Sequence, residues 1–187
     1  MSTRAAIARS HGDGFLGVYH HWDGYPTALG KTLWELYQGY FWGRIGGDLG
    51  LMLAVLIDEH PAGWSTINGA DFTLAAGFTE DMAAKQPQCF CHGDRHEPAQ
   101  AVTEQDDLGM EWAYVFDEAA NSMAVLERVR PDSGHAVGMF GTLGTSRKSG
   151  EREDAWAVRW TGPLDGEEPD WAALEAGRPE AVKEELA

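Results

Sequence analysis

The chain has 187 residues and a formal net charge of −16, from 30 acidic and 14 basic side chains. This length suits one domain with a sizeable apolar core. Nucleic-acid binding relies on clusters of Lys and Arg that neutralise phosphates, so the composition argues against direct binding to DNA or RNA. The acidic excess favours either solubility or mimicry of nucleic acid.

The sequence also indicates a cellular location for the protein. Its longest apolar stretch, 49–57, is about half the length needed to cross a bilayer, and no apolar secretory leader is visible. Cys89 and Cys91 are separated by one residue, which is poor spacing for a structural disulfide. We therefore expect a cytoplasmic protein with no membrane partner.

The first half of the chain predicts a hairpin followed by two helices. Runs typical of strands at 4–9 and 15–21 flank a His-Gly-Asp-Gly turn, which favours a β-hairpin. Apolar residues at helical spacing then predict one helix over 27–41 and another over 48–60, where a His-Pro pair ends the pattern. Residues 63–104 show no sustained period, so we expect long loops that carry short elements there.

Strand-forming residues return in the second half of the chain, at 111–117, 123–129 and 155–160. We predict a single α+β domain over residues 1–160. Its sheet is expected to be antiparallel, built from the N-terminal hairpin and the C-terminal strands, with the two helices packed on one face. Residues 161–187 are predicted to be an acidic, partly ordered extension.

One dense group of polar and aromatic side chains lies where the first hairpin leads into the first helix. His21 and Asp23 are the candidate catalytic residues, because a carboxylate beside an imidazole fixes its tautomer and stabilises its charged form. Tyr19, Trp22 and Tyr25 are the candidate ligand-binding residues of the same pocket. The alternative is structural: the Asp-Gly-Tyr-Pro sequence makes a turn, caps a helix and supplies core aromatics.

The motif in this group is Tyr19-x-His21-Trp22-Asp23-Gly24-Tyr25-Pro26. With Ser2-Thr3-Arg4 and an Asp-Gly hairpin before it, and Gly30 and Leu33 after it, it resembles the N-terminus of a family of small uncharacterised bacterial and phage proteins. The resemblance covers about the first 35 residues closely and implies no particular reaction. This chain has His20 where a Cys often stands in the family, which puts a catalytic role for that position in doubt.

A second group offers four soft or borderline metal ligands within eight positions: Cys89, Cys91, His92 and His96. Thiolate and imidazole ligands favour zinc as a possible cofactor. One short loop rarely supplies all four corners of a tetrahedron, so a distant histidine such as His60 or His135 can replace one of them. Two alternatives stay open: ordinary cysteines beside a polar turn, or a reactive Cys91 thiol activated by His92 and Arg95.

Motifs for ATP or dinucleotide binding are absent from the sequence. Three hypotheses remain. The first is a cytoplasmic accessory protein, associated with a phage or mobile element, that binds a small molecule or protein partner through the pocket at His21 and Trp22. The second is a hydrolase-type enzyme that uses His21 and Asp23, with help from a metal ion. The third is an acidic mimic of nucleic acid.

Overall fold

The structure is a computed structural model, and it describes residues 3–39, 45–67, 88–92, 96–129, 142–143 and 155–177. The α+β class predicted from the sequence is confirmed, because short helices accompany one continuous sheet. Among the described residues, no helix is both long and apolar enough to cross a membrane.

The strands of the sheet, in chain order, are β1 Arg4–His11, β2 Gly14–His20, β3 Trp64–Thr66, β4 Gln88–Cys89, β5 Ala101–Thr103, β6 Met110–Asp117, β7 Ser122–Val129, β8 Thr142–Leu143 and β9 Ala155–Pro163. They lie in the order β4-β3-β2-β1-β6-β7-β9-β8, and β5 pairs with β2. The predicted N-terminal hairpin is present as β1 and β2, and β6 and β7 form a second hairpin.

The prediction of an antiparallel sheet is wrong, because the sheet is mixed. β1 runs parallel to β6, and β2 runs parallel to β3. Parallel neighbours need a long crossover between them. Here the chain between β1 and β6 includes both helices that follow the hairpin. The apolar pattern of a strand predicts which face is buried but not the direction of its neighbour, so the sequence left this pairing open.

The helical segments follow the predicted order and begin with local signals. They are a π-helical turn at Pro26–Gly30 that continues as α1 Lys31–Tyr37, α2 Leu49–Leu53 that continues as a π-helical turn at Ala54–Asp58, and α3 Trp171–Glu175. The Asp48 carboxylate accepts a hydrogen bond of 2.8 Å from the Leu51 N–H and so caps α2. α1 ends at Tyr37, and Gly39 with φ +78 follows in a turn, so this helix is shorter than the predicted span to residue 41.

Two apolar cores flank the sheet. The first contains residues from the three described helices together with Trp112, Tyr114 and Phe116, which alternate along β6. The second contains Phe15, Trp156 and Val115, and Val115 lies between Tyr114 and Phe116 in β6. Because successive strand residues point to opposite faces, one strand supplies both cores.

The described segment after β9 packs against the first core. β9 continues to Pro163, beyond residue 160, where the sequence placed the end of the domain. Leu164, Trp171 and Leu174 are then buried against the helices and the sheet. Residues 178–187 lie outside the part of the chain that the structure describes.

Candidate metal centre

The three strands β2, β3 and β4 form one edge of the sheet, and their register brings distant residues together. His20 pairs with Trp64, which in turn pairs with Cys89. Paired residues on neighbouring strands carry their side chains on the same face. The buried Trp64 indole donates a 2.8 Å hydrogen bond to the Leu56 carbonyl, and its ring packs 4.3 Å from that of His60. Trp64 therefore holds the segment after α2 beside Cys89.

Four side chains converge at this edge: His60, Cys89, Cys91 and His92. One nitrogen or sulfur atom from each lies within 4.8 Å of the other three. Cys89 Sγ is 3.2 Å from His92 Nδ1, and Cys91 Sγ is 3.6 Å from His60 Nδ1. A tetrahedral zinc ion with ordinary Zn–S and Zn–N bonds separates its sulfur and nitrogen ligands by about 3.5 Å. The four residues can hold a metal ion with little rearrangement.

Backbone hydrogen bonds fix the two segments that carry these ligands. The Phe90 N–H donates to the Gly63 carbonyl, and the Gly63 N–H donates to the His60 carbonyl, both at 2.9 Å. Gly63 has φ +85, and a Cβ there would collide with the Tyr19 carbonyl oxygen. Only glycine lets this turn lie so close to β2 in that conformation.

Burial affects the protonation of the His60 and Cys89 side chains in different ways. Burial, reinforced by the neighbouring His92, lowers the pKa of His60, which favours the neutral imidazole that binds metal. Burial raises the pKa of the Cys89 thiol, so a metal ion must displace a proton from this sulfur when it binds. The cluster is half-buried, and His92 is its exposed member.

The structure brings three of the four ligands proposed from the sequence into this group and adds His60. His96 is exposed, has φ +47 and does not belong to the group found among the described residues. His135 and Arg95 lie outside the described residues. The sequence offered His60 and His135 as distant substitutes but no reason to choose between them, because β3 brings His60 near Cys89 only in the folded chain.

The other predicted site is oriented differently from what the sequence suggested. The His21 ring shares a 2.8 Å hydrogen bond between its Nδ1 and the Tyr19 hydroxyl. Asp23 is exposed with φ +55, and within the described part of the chain its carboxylate forms no hydrogen bond or ion pair. Trp22 is 48% exposed and meets the His21 ring edge-on at 4.6 Å. Tyr19, rather than Asp23, therefore orients His21.

The remainder of this motif braces the fold. The Gly24 N–H donates to the Thr3 carbonyl, and the Gly24 carbonyl accepts a bond from the buried Tyr114 hydroxyl, both at 2.9 Å. A Cβ at Gly24 would lie 2.8 Å from that of Ala5. Tyr25 packs against the first core. The motif thus divides into a surface half, with Tyr19, His21 and Trp22, and an anchoring half, with Gly24 and Tyr25.

The two clusters lie at the same edge of the sheet but on opposite faces. Alternation along β2 places Tyr19 opposite His20 and hence opposite Cys89, and Tyr19 hydrogen-bonds to His21 just beyond the strand. Phe90 links the two faces, because its ring stacks on Tyr19 with centroids 6.4 Å apart while its neighbours are the two cysteines. The surface half of the motif therefore rests on the turn that carries the candidate metal ligands.

His20 is the buried polar residue beneath this edge. It is 1% exposed, and its Nε2 accepts a 3.2 Å hydrogen bond from the Ile67 N–H. Burial lowers the pKa of His20 to about 3, so the ring is neutral at ordinary pH. Its Nδ1 has no hydrogen-bond partner among the described residues. His20 acts as internal bracing for the edge.

Comparison with known proteins adds no assignment to these observations. No protein-family model, curated protein or solved structure matches the chain. Function must therefore be inferred from the geometry and chemistry of the site itself.

Proposed function

We propose that this protein is a zinc-dependent binding protein. A Zn²⁺ ion held by His60, Cys89, Cys91 and His92 stabilises the β3–β4 edge, and the aromatic surface on the opposite face of that edge, formed by Tyr19, His21 and Trp22, binds a small molecule or a protein partner. The observation that carries the proposal is the convergence of four nitrogen and sulfur ligand atoms within 4.8 Å of one another from two separate segments.

The identity and role of the metal follow from the ligand set. Two thiolates and two imidazoles are the preferred ligands of zinc in tetrahedral sites. Four protein ligands complete that tetrahedron and leave no open position for water or substrate, which is the arrangement of structural rather than catalytic zinc. The hydrolase-type alternative would need such an open position.

Among the described residues, the two strands at this edge are short. β3 has three residues and β4 has two, so their ladder contributes few hydrogen bonds. A metal ion here would join the segment after α2 to the turn at 89–92. Since Phe90 in that turn stacks on Tyr19, the ion would also fix the position of the aromatic surface.

The aromatic surface has the character of a binding site. Trp22 and Leu16 are the large hydrophobic residues that stay exposed among the described residues. Exposed tryptophan with an ordered neighbour is typical of the residues that dominate binding energy. Binding is favoured over hydrolysis because Tyr19 hydrogen-bonds to the His21 imidazole and, within the described residues, the Asp23 carboxylate forms no hydrogen bond or ion pair.

Metal analysis tests the zinc centre. Purified protein reconstituted with zinc and freed of excess ion is expected to retain one equivalent, measured by elemental mass spectrometry. Cys91→Ser should lose the ion, whereas His96→Ala is the matched control and should keep it, because His96 lies outside the ligand group. The proposal would be contradicted if the wild-type protein retained no zinc after reconstitution. It would also be contradicted if Cys91→Ser and His96→Ala lost zinc to the same extent.

The binding surface is tested separately with zinc-bound protein as bait. Trp22→Ala should lose a partner or ligand that the wild type retains in quantitative affinity capture. Leu16→Ala is the control, since Leu16 is 40% exposed but lies away from His21 on β2. Equal recovery by the wild type and Trp22→Ala would show that the tryptophan is not part of a binding surface.

A further inference from the structure

A cavity lies over the second core, on the face of the sheet opposite the helices' core. Its volume is about 220 Å³, and its apolar lining consists of Phe15, Val115, Ala124, Leu126 and Trp156. Phe15 and Trp156 meet edge-to-face with centroids 5.5 Å apart and form an aromatic wall. The volume equals that of about seven liquid water molecules, which suits a small ligand rather than a nucleotide. No residue of the metal group lines it.

The polar part of the lining carries one sign of charge. None of the lining residues is basic. The polar ones are acidic or carry a hydroxyl group, and they are Ser10, Asp13, Glu104, Asp117, Ser122 and Thr161. The whole chain carries a formal charge of −16, which adds to the negative potential. Anionic ligands are disfavoured at such a site.

Two of the carboxylates are held in place by the backbone. Glu104 Oε2 accepts a 3.1 Å hydrogen bond from the Phe15 N–H, and Asp117 Oδ1 accepts bonds of 2.9 and 3.0 Å from the N–H groups of Ala119 and Ala120. Within the described residues, the second oxygen of each carboxylate forms no hydrogen bond or ion pair. Each is therefore a positioned acceptor with capacity for a cation.

We propose that this cavity binds a small organic cation, namely a protonated amine attached to a compact apolar or aromatic body. The apolar lining accepts the body, as in most small-molecule sites. The ammonium group forms charge-assisted hydrogen bonds with Glu104 or Asp117. The guanidinium of Arg128 already lies over the Trp156 ring, 5.5 Å from its centroid, so the carboxylates rather than a cation–π contact select the charged ligand. The complementarity of charge selects a cation over a neutral ligand of the same shape.

Benzylamine is a suitable probe, and benzyl alcohol is its neutral counterpart of nearly equal shape. Titrations followed by backbone NMR shifts should show saturable benzylamine binding centred on Val115 and Ala124, with an affinity at least about tenfold above that of benzyl alcohol. Phenylacetate should not bind. Zinc-bound protein is used throughout, and a Trp22→Ala variant should bind benzylamine normally, because Trp22 does not line the cavity.

Two substitutions test whether the carboxylates of Glu104 and Asp117 select the cationic probe. Glu104→Gln keeps an oxygen for the Phe15 N–H, and Asp117→Asn keeps one for the turn at 119–120, so both should fold with nearly unchanged melting temperatures. The double variant should lower benzylamine affinity about tenfold and leave benzyl alcohol unaffected. Equal affinities for the two probes, or an unchanged benzylamine affinity in the double variant, would overturn the proposal. Ala124→Leu, which fills the cavity, should abolish binding of both probes.

Discussion

The centre of the sheet and its β3–β4 edge are stabilised in different ways. In the centre, β6 and β7 have eight residues each and contribute side chains such as Tyr114 and Phe116 that are fully buried. At the edge, strands of three and two residues are joined by a half-buried group of histidines and cysteines. Apolar burial stabilises the centre whatever ions are present, whereas the edge is expected to depend on coordination of a metal.

The largest effect is expected from a core truncation in the centre. Phe116→Ala should lower the free energy of unfolding by about 3–5 kcal/mol, because it removes a fully buried aromatic ring and leaves a cavity. Urea denaturation at saturating zinc measures this. The zinc affinity of the folded protein should be unchanged, since Phe116 lies in the central strand. A loss below about 1 kcal/mol would show that the centre repacks easily.

Removing zinc should affect the edge and spare the centre. At free zinc one hundred times its dissociation constant, the ion should stabilise the protein by about 2.7 kcal/mol. Hydrogen exchange after chelation should show lost protection at 64–66 and 88–92, while β1 and β6 amides keep theirs. His96→Ala should behave like the wild type. Uniform loss of protection across the sheet would mean that the two regions are not separate.

Gly63→Ala tests whether the backbone turn at Gly63 positions the candidate metal ligands at the edge. The substitution should cost about 1–3 kcal/mol, because φ is +85 and the new Cβ would meet the Tyr19 carbonyl. It should also weaken zinc binding by moving the His60 segment. Gly12→Ala is the matched control, since Gly12 has φ +58 but nothing within 4 Å of a Cβ. If both variants bind zinc equally well, the turn at Gly63 does not position the metal ligands.

The last effect is the pH dependence that His20 contributes, and it is small near neutral pH. Burial lowers the pKa of His20 to about 3 in the folded protein, against an ordinary value of 6.5. Between these values the unfolded chain binds a proton that the folded protein does not. Stability is therefore complete above pH 6.5 and falls as the pH falls towards 3, by up to about 1.4 kcal/mol per pH unit.

His20→Gln tests this linkage, because glutamine keeps an acceptor for the Ile67 N–H and does not titrate. The free energy of unfolding of both proteins is measured from pH 7.5 to 5 at one zinc concentration. The wild-type curve should fall more steeply below pH 6.5. Parallel curves would mean that His20 can be protonated in the folded state.

Local sequence signals located most of the regular structure. The His-Gly-Asp-Gly turn predicted the first hairpin, the second helix was predicted to begin at residue 48, where Asp48 caps α2, and runs of strand-forming residues predicted β6 and β7. Each of these signals acts between residues close in the chain, through turn geometry, capping or alternation of apolar residues. The strands β3, β4 and β5 were missed because they are too short to show a period.

What the sequence by itself determined is therefore the class of the fold, the order of its long elements and the residue types able to bind metal. The parallel pairing of β1 with β6, the choice of His60 over His96 and the division of the His21–Tyr25 motif between surface and core were decided only by the tertiary structure. The physical reason is common to all three. Periodicity and spacing specify on which face of its own helix or strand a residue lies, whereas packing decides which distant residue it contacts.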